Sequence, residues 1–207
     1  MNASSGVGMI DGCKTDFRCV TLSSAAPESL GVAVATVRSG GWGLIDCREG
    51  ASPPELVNHR FDELIRRTAG AIGLPGLALN LIDAVNESLL AQLATVEHVL
   101  LVQLPADAEL DACKHLVNCP QRVLLLQAPI TWNLQHCSGD SLVSVDQIDG
   151  WVVVGSELTR SDSDSSVFVV AQQALASTDR PVYAQGGFGP RATQAFRAMG
   201  CSGVILD

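Results

Sequence analysis

The clearest chemical signal in the chain is the run Gln185-Gly186-Gly187-Phe188-Gly189-Pro190. Two adjacent glycines behind an apolar run let a backbone approach a ligand closely. A helix starting just beyond them offers free N–H groups to a phosphate. The same glycines would also serve a tight strand-to-helix turn with no ligand at all, and both readings stand on spacing alone.

Amides supply the next candidates. Asn80 lies toward the carboxyl end of the otherwise apolar run Leu77 to Ile82, and its side chain could read the edge of a heterocycle or sit as a satisfied structural amide. Gln103 and Gln127 end two further apolar runs in the same way. Such groups bind well but carry protons poorly. Glu157 is the best-placed base, since a partly buried carboxylate gains basicity, although a plain loop carboxylate is the commoner case. His59, His98, His115 and His136 fall in helical or loop stretches or just ahead of a strand, where surface or packing roles are expected. No cluster has metal-ligand spacing, so no metal is expected.

These residues must be held by repeating elements. Short β-branched runs alternate with stretches of helical spacing, which predicts strands over 17–23, 42–47, 77–82, 99–104, 122–128, 151–155, 181–185 and 203–206. Helices are predicted from Pro27 to Val37 and over 55–69, 87–95, 109–116, 167–176 and 191–199, with a weaker one inside 131–146. Eight such units predict a single (β/α)8 barrel over 13–207, preceded by a flexible arm over 1–12, in preference to a doubly wound open sheet. The sequence stops at Asp207, so the eighth helix is expected to be missing. An uncovered apolar flank on strands eight and one would then be an association surface, for a second copy among others. In such barrels the site gathers at the carboxyl ends of the strands. That puts Ser23, Ser24, Asp46, Asn80, Gln103, Gln127, Gly155 to Glu157, Gln185 to Gly187 and Asp207 on one rim, with the glycine pair after strand seven, where barrel phosphate sites recur.

Composition agrees with a buried parallel sheet. Hydrophobic residues make up 47% of the chain and charged residues 17%, which excludes a disordered protein. The net charge of −9 comes with no basic stripe, so no nucleic-acid partner is expected. Apolar runs are too short to cross a bilayer of roughly 30 Å. The seven cysteines show no C-x-x-C pair and follow no secretory leader, which predicts reduced thiols in a cytoplasmic protein.

The segments also resemble a known family. Ala26 to Gly43 resembles the first helix of the nitronate monooxygenase family, which typically opens on Pro-Glu-Leu and closes on Ala-Gly-Gly-Leu-Gly. Leu77-Ala-Leu-Asn-Leu is similar to that family's third strand, whose asparagine contacts the flavin. Pro181-Val-Tyr-Ala-Gln-Gly-Gly-Phe is similar to its Pro-Val-Ile-Ala-Ala-Gly-Gly-Ile, which holds the FMN phosphate. The likeness runs through the whole chain in order. It looks closest to the barrel module at the start of large polyketide and polyunsaturated fatty-acid synthases. The resemblance implies FMN held by Gly186 and Gly187 at its phosphate and by Asn80 and Gln127 at its ring, with Ser23, Ser24, Gly155 and Gln185 lining the remaining site. It further implies a small-molecule or acyl substrate, other synthase domains as partners, and Glu157 as the nearby proton carrier.

Two departures stand out. The family's sixth strand usually ends in Gln-Gly-x-Glu-Ala-Gly-Gly-His, whereas residues 154–161 here read Val-Gly-Ser-Glu-Leu-Thr-Arg-Ser. Ser161 thus stands in place of the histidine, and a hydroxyl is no base near neutral pH. The family also places glycine at the end of strand eight, where this chain has Asp207, a carboxylate that a phosphate would repel unless a cation such as Arg160 screens it. These departures favour the alternative of a non-catalytic structural or docking barrel that no longer binds flavin. A phosphate-ester isomerase or synthase on the same fold lacks a convincing acid–base pair.

Overall fold

The computed structural model describes residues 17–24, 29–48, 54–79, 100–104, 122–128, 148–155 and 165–207. Eight parallel strands close into a barrel in simple sequence order, with β8 pairing back onto β1. They are β1 (Arg18–Ser24), β2 (Trp42–Cys47), β3 (Leu74–Leu79), β4 (Leu100–Leu104), β5 (Arg122–Gln127), β6 (Gly150–Val154), β7 (Val182–Gln185) and β8 (Gly203–Leu206). Four described helices pack outside: α1 (Leu30–Arg38), α2 (Pro54–Thr68), α3 (Val167–Ser177) and α4 (Pro190–Met199). The helices expected over 87–95, 109–116 and within 131–146 lie outside the described residues.

Period-two alternation sorts each strand between two cores. Val20, Trp42, Leu44, Val123, Leu125, Val152, Val154, Tyr183 and Ile205 fill the barrel interior. Ile45, Leu77, Leu79, Leu124, Leu126, Trp151, Val153, Val182, Ala184 and Val204 face outward against the helices. Interior space is shared unevenly. Tyr183 packs on Trp42 with ring centroids 5.5 Å apart. Gly203 leaves room for the Tyr183 ring, since a Cβ there would come within 2.9 Å of its Cδ1.

Outside, α1 buries Leu30, Ala33, Val34 and Val37, and α3 buries Val167, Val170, Ala171 and Ala174. Both sets follow the i, i+3, i+4, i+7 spacing of one helical face. Gly43 lets α1 lie directly on β2, because any Cβ there would run into the Ala33 backbone. A Gly200 in the left-handed region (φ 104°) ends α4.

One strand begins more than one residue from its expected start. β3 begins at Leu74 rather than Leu77, so Pro75 and Gly76 are strand residues. Trp42 sets this register by pairing with Leu74, and Pro75 near the strand's start leaves few ladder bonds unmade. Among the described residues, no helix is long and apolar enough to cross a membrane.

Candidate functional site at the barrel mouth

Continuing the interior alternation by one step brings polar residues to the carboxyl ends of the strands. After Trp42 and Leu44 comes Asp46; after Val123 and Leu125, Gln127; after Tyr183, Gln185; after Ile205, Asp207. Gln103 joins them because it pairs in register with Ala78 on one side and Leu125 on the other. Gln103 is fully buried and Gln185 nearly so, at 4% exposure.

These side chains form one connected network across the mouth. Gln103 Nε2 donates to Gln185 Oε1 at 2.9 Å, and Gln185 Nε2 donates to Asp207 Oδ1 at 2.9 Å. Arg48 Nη1 also donates to Gln185 Oε1, at 3.4 Å. Its other nitrogens hold Asp46 in a two-point pair, Nε to Oδ1 at 2.9 Å and Nη2 to Oδ2 at 2.7 Å, while the Arg48 backbone N–H donates to Asp46 Oδ1 at 3.0 Å. A fork-to-fork pair of this kind fixes the guanidinium plane as well as its place. The network thus spans β2, β4, β7 and the residue after β8. Among the described residues the network holds two carboxylates, Asp46 and Asp207, and the Arg48 guanidinium.

The glycine loop lies beside it. Gly186 N–H donates to the Ile205 carbonyl, and Phe188 N–H to the Gly186 carbonyl, both at 2.9 Å. Neither Gly186 nor Gly187 has a positive φ, so backbone conformation does not require glycine at either position. Gly186 is there for its neighbour, since a Cβ would come within 2.8 Å of the Phe188 ring. That ring in turn packs on Phe196 (4.7 Å), which stacks on Phe168 at 4.3 Å and 9°. Gly187 is different: it is exposed, and a Cβ would meet nothing within 4 Å. Its backbone borders open space leading to the start of α4, where Gly189 caps without any side-chain hydrogen bond and Pro190 occupies the first turn. The first-turn N–H groups of Arg191 and Ala192 and the exposed Arg191 side chain give this end a positive character.

Gln185, Gly186 and Gly187 meet at the mouth, with Gln127 and buried Gly155 on its rim. Ser24 ends β1 with interior alternation, whereas Ser23 points outward, where its hydroxyl accepts the Ala33 N–H of α1 at 3.1 Å. Ser23 therefore serves a helix and not the mouth. Asn80, Glu157 and Arg160 lie outside the described residues. Asp207 does not stand alone beside a phosphate site, because Gln185 donates to it. Arg48 is the mouth residue that sequence reasoning missed. The available signal was the Asp46-x-Arg48 spacing at the end of a strand already placed on the rim.

No family model matches the chain, and no curated protein matches it. Solved structures do. A FabK variant from Thermotoga maritima superposes with a TM-score of 0.68 at 19% identity, over 92% of this chain and 61% of that one. A second FabK structure from the same organism gives 0.65 at 20%, over 90% and 57%. The HpcH/HpaI aldolase from Desulfitobacterium hafniense DCB-2 gives 0.60 at 9%, over 93% and 86%. The chain spans about three fifths of the FabK chains it matches. At these identities the likeness is one of fold, and it agrees with the closed α/β barrel.

Proposed function

We propose that the chain is an FMN-binding barrel of the nitronate monooxygenase and enoyl-reductase type, a cytoplasmic module of a polyketide or fatty-acid synthase. The observation that carries this reading is the Gly187 edge of the loop after β7. It is open, free of backbone strain, and continuous with a positively charged helix start that has no side-chain cap. A phosphate placed there meets N–H donors and the field of α4. The residues present therefore fit the phosphate end of the group. Gln103 adds a buried amide oxygen with no hydrogen-bond partner among the described residues, which suits the N–H of a planar ring. Bound FMN would supply a two-electron redox centre for a small-molecule or acyl substrate. Around it Gly186 and Gly187 would hold the phosphate, Asn80 and Gln127 the ring edge, and Glu157 would move the proton.

A second reading is favoured by one specific contact. Gln185 and Asp207 stand where the resembled family has alanine and glycine, and they hydrogen-bond to each other. Two changed positions that meet in one pair suit a mouth refilled for structure, that is, a docking barrel without flavin.

The visible spectrum of the purified protein and a titration with FMN separate the two. Flavin bands with saturable binding are expected. A colourless, folded chain that takes up no FMN would overturn the first reading in favour of the second.

A further inference from the structure

The amides at the mouth have a fixed polarity. Asp207 carries a carboxylate that only accepts, so the end of Gln185 that lies 2.9 Å from its Oδ1 is the NH2 group. The opposite end is then the carbonyl oxygen, in agreement with the guanidinium of Arg48, a pure donor, 3.4 Å away. That same oxygen lies 2.9 Å from Gln103, which must therefore present its own NH2 there. Turning the Gln103 amide over would set two carbonyl oxygens against each other. Its Oε1 is left as the end of the chain of donors. This atom is buried, in a residue with 0% exposure, and has no hydrogen-bond partner among the described residues. A buried acceptor without a donor is destabilising, and native proteins seldom leave one.

We propose that Gln103 is the specificity-determining acceptor of the barrel mouth: its Oε1 takes a hydrogen bond from the ring N–H of the bound ligand. Arg48 and Asp207 are positioning residues that act through Gln185 to keep this oxygen in the accepting orientation. The inference rests on the FMN reading above and names the ring atom that the mouth selects. The oxidised isoalloxazine ring has one strong N–H donor, the imide group at N3, flanked by two carbonyls. A side-chain amide matches such an edge better than a hydroxyl or a carboxylate, because it pairs an acceptor with a donor in one plane.

The test compares FMN with N3-methyl FMN, titrated into the wild-type chain and into Gln103→Met by flavin fluorescence. Wild type is expected to bind FMN about tenfold more tightly than the methylated ligand, the loss expected for one buried hydrogen bond. Gln103→Met is expected to bind both alike. Equal binding of the two ligands by wild type overturns the proposal and leaves the FMN reading intact. Undiminished discrimination in folded Gln103→Met overturns it as well, since the preference would then arise from the bulk of the methyl group elsewhere. Failure of wild type to bind either flavin overturns both the proposal and the cofactor reading. If Gln103→Met does not fold, the wild-type pair of titrations decides alone.

Discussion

Gly186 and Gly187 are adjacent but answer to different neighbours, and this separates structure from binding at single-residue resolution. Gly186 yields to the Phe188 ring, whereas Gly187 has open space and an ordinary φ. Gly187→Val is therefore expected to leave stability within about 0.5 kcal/mol, as at other unconstrained surface positions. FMN affinity should fall at least tenfold, because the new side chain fills the space the phosphate needs. Thermal melts and FMN titration of the same preparation check both halves, and unchanged affinity would remove the loop from the site. Gln185 is the opposite case. Gln185→Leu strands the Gln103 NH2 group and removes partners from Arg48 and Asp207, at a cost of about 1–3 kcal/mol read by urea denaturation. A neutral result would show that the network is dispensable. The sequence marked Gln103, Gln185, Asp46 and Asp207 one by one as strand-end polar residues. Their connection was not legible, since Arg48 and Gln185 are 137 positions apart and meet only when the barrel closes.

At the scale of elements, legibility follows pattern strength. α1 and α3 announce themselves by four apolar residues on one face each, and β2 and β8 have the bounds their apolar runs predict. β3 does not, because Gly73, Pro75 and Gly76 look like turn residues when read locally. Tertiary contact overrides that local preference: Gly73 N–H donates to the Val37 carbonyl and Leu74 N–H to the Gly41 carbonyl, which fixes the strand's start. The helix-on-sheet contact gives an element-scale prediction. Gly43→Val places side-chain atoms into the Ala33 backbone and must push α1 off β2. It should cost about 1–3 kcal/mol or more, in the range of overpacked cores. Because α1 packs on the outside of the barrel, the folded fraction should bind FMN as wild type does. Urea midpoints together with titration of the folded variant check this. A midpoint equal to wild type would mean that α1 does not lie where described.

Over the whole molecule, the eightfold repetition of short apolar runs was the most legible feature, and barrel closure through β1 and β8 follows from it. Thiol ionisation tests that closed, dry packing globally. Burial raises the Cys47 thiol from 9.0 to about 12, with the Asp46 carboxylate beside it adding to the effect, and burial raises Cys201 from 9.0 to about 11. A thiol is neutral when protonated, so the folded state keeps protons that the unfolded chain releases. Below pH 9 both states are protonated and these groups add no pH dependence. From pH 9 upward the folded state binds more protons than the unfolded one, so stability falls as pH rises, through about 11 for Cys201 and about 12 for Cys47. Urea midpoints measured across pH 9 to pH 11 should decline in wild type, and decline less steeply in a Cys47→Ala, Cys201→Ala double variant. Tyrosine and lysine ionisation contributes equally to both proteins and cancels in the comparison. Identical slopes would mean that the two thiols ionise in the folded state as they do in water, which a closed barrel with helices packed over β2 and β8 does not allow.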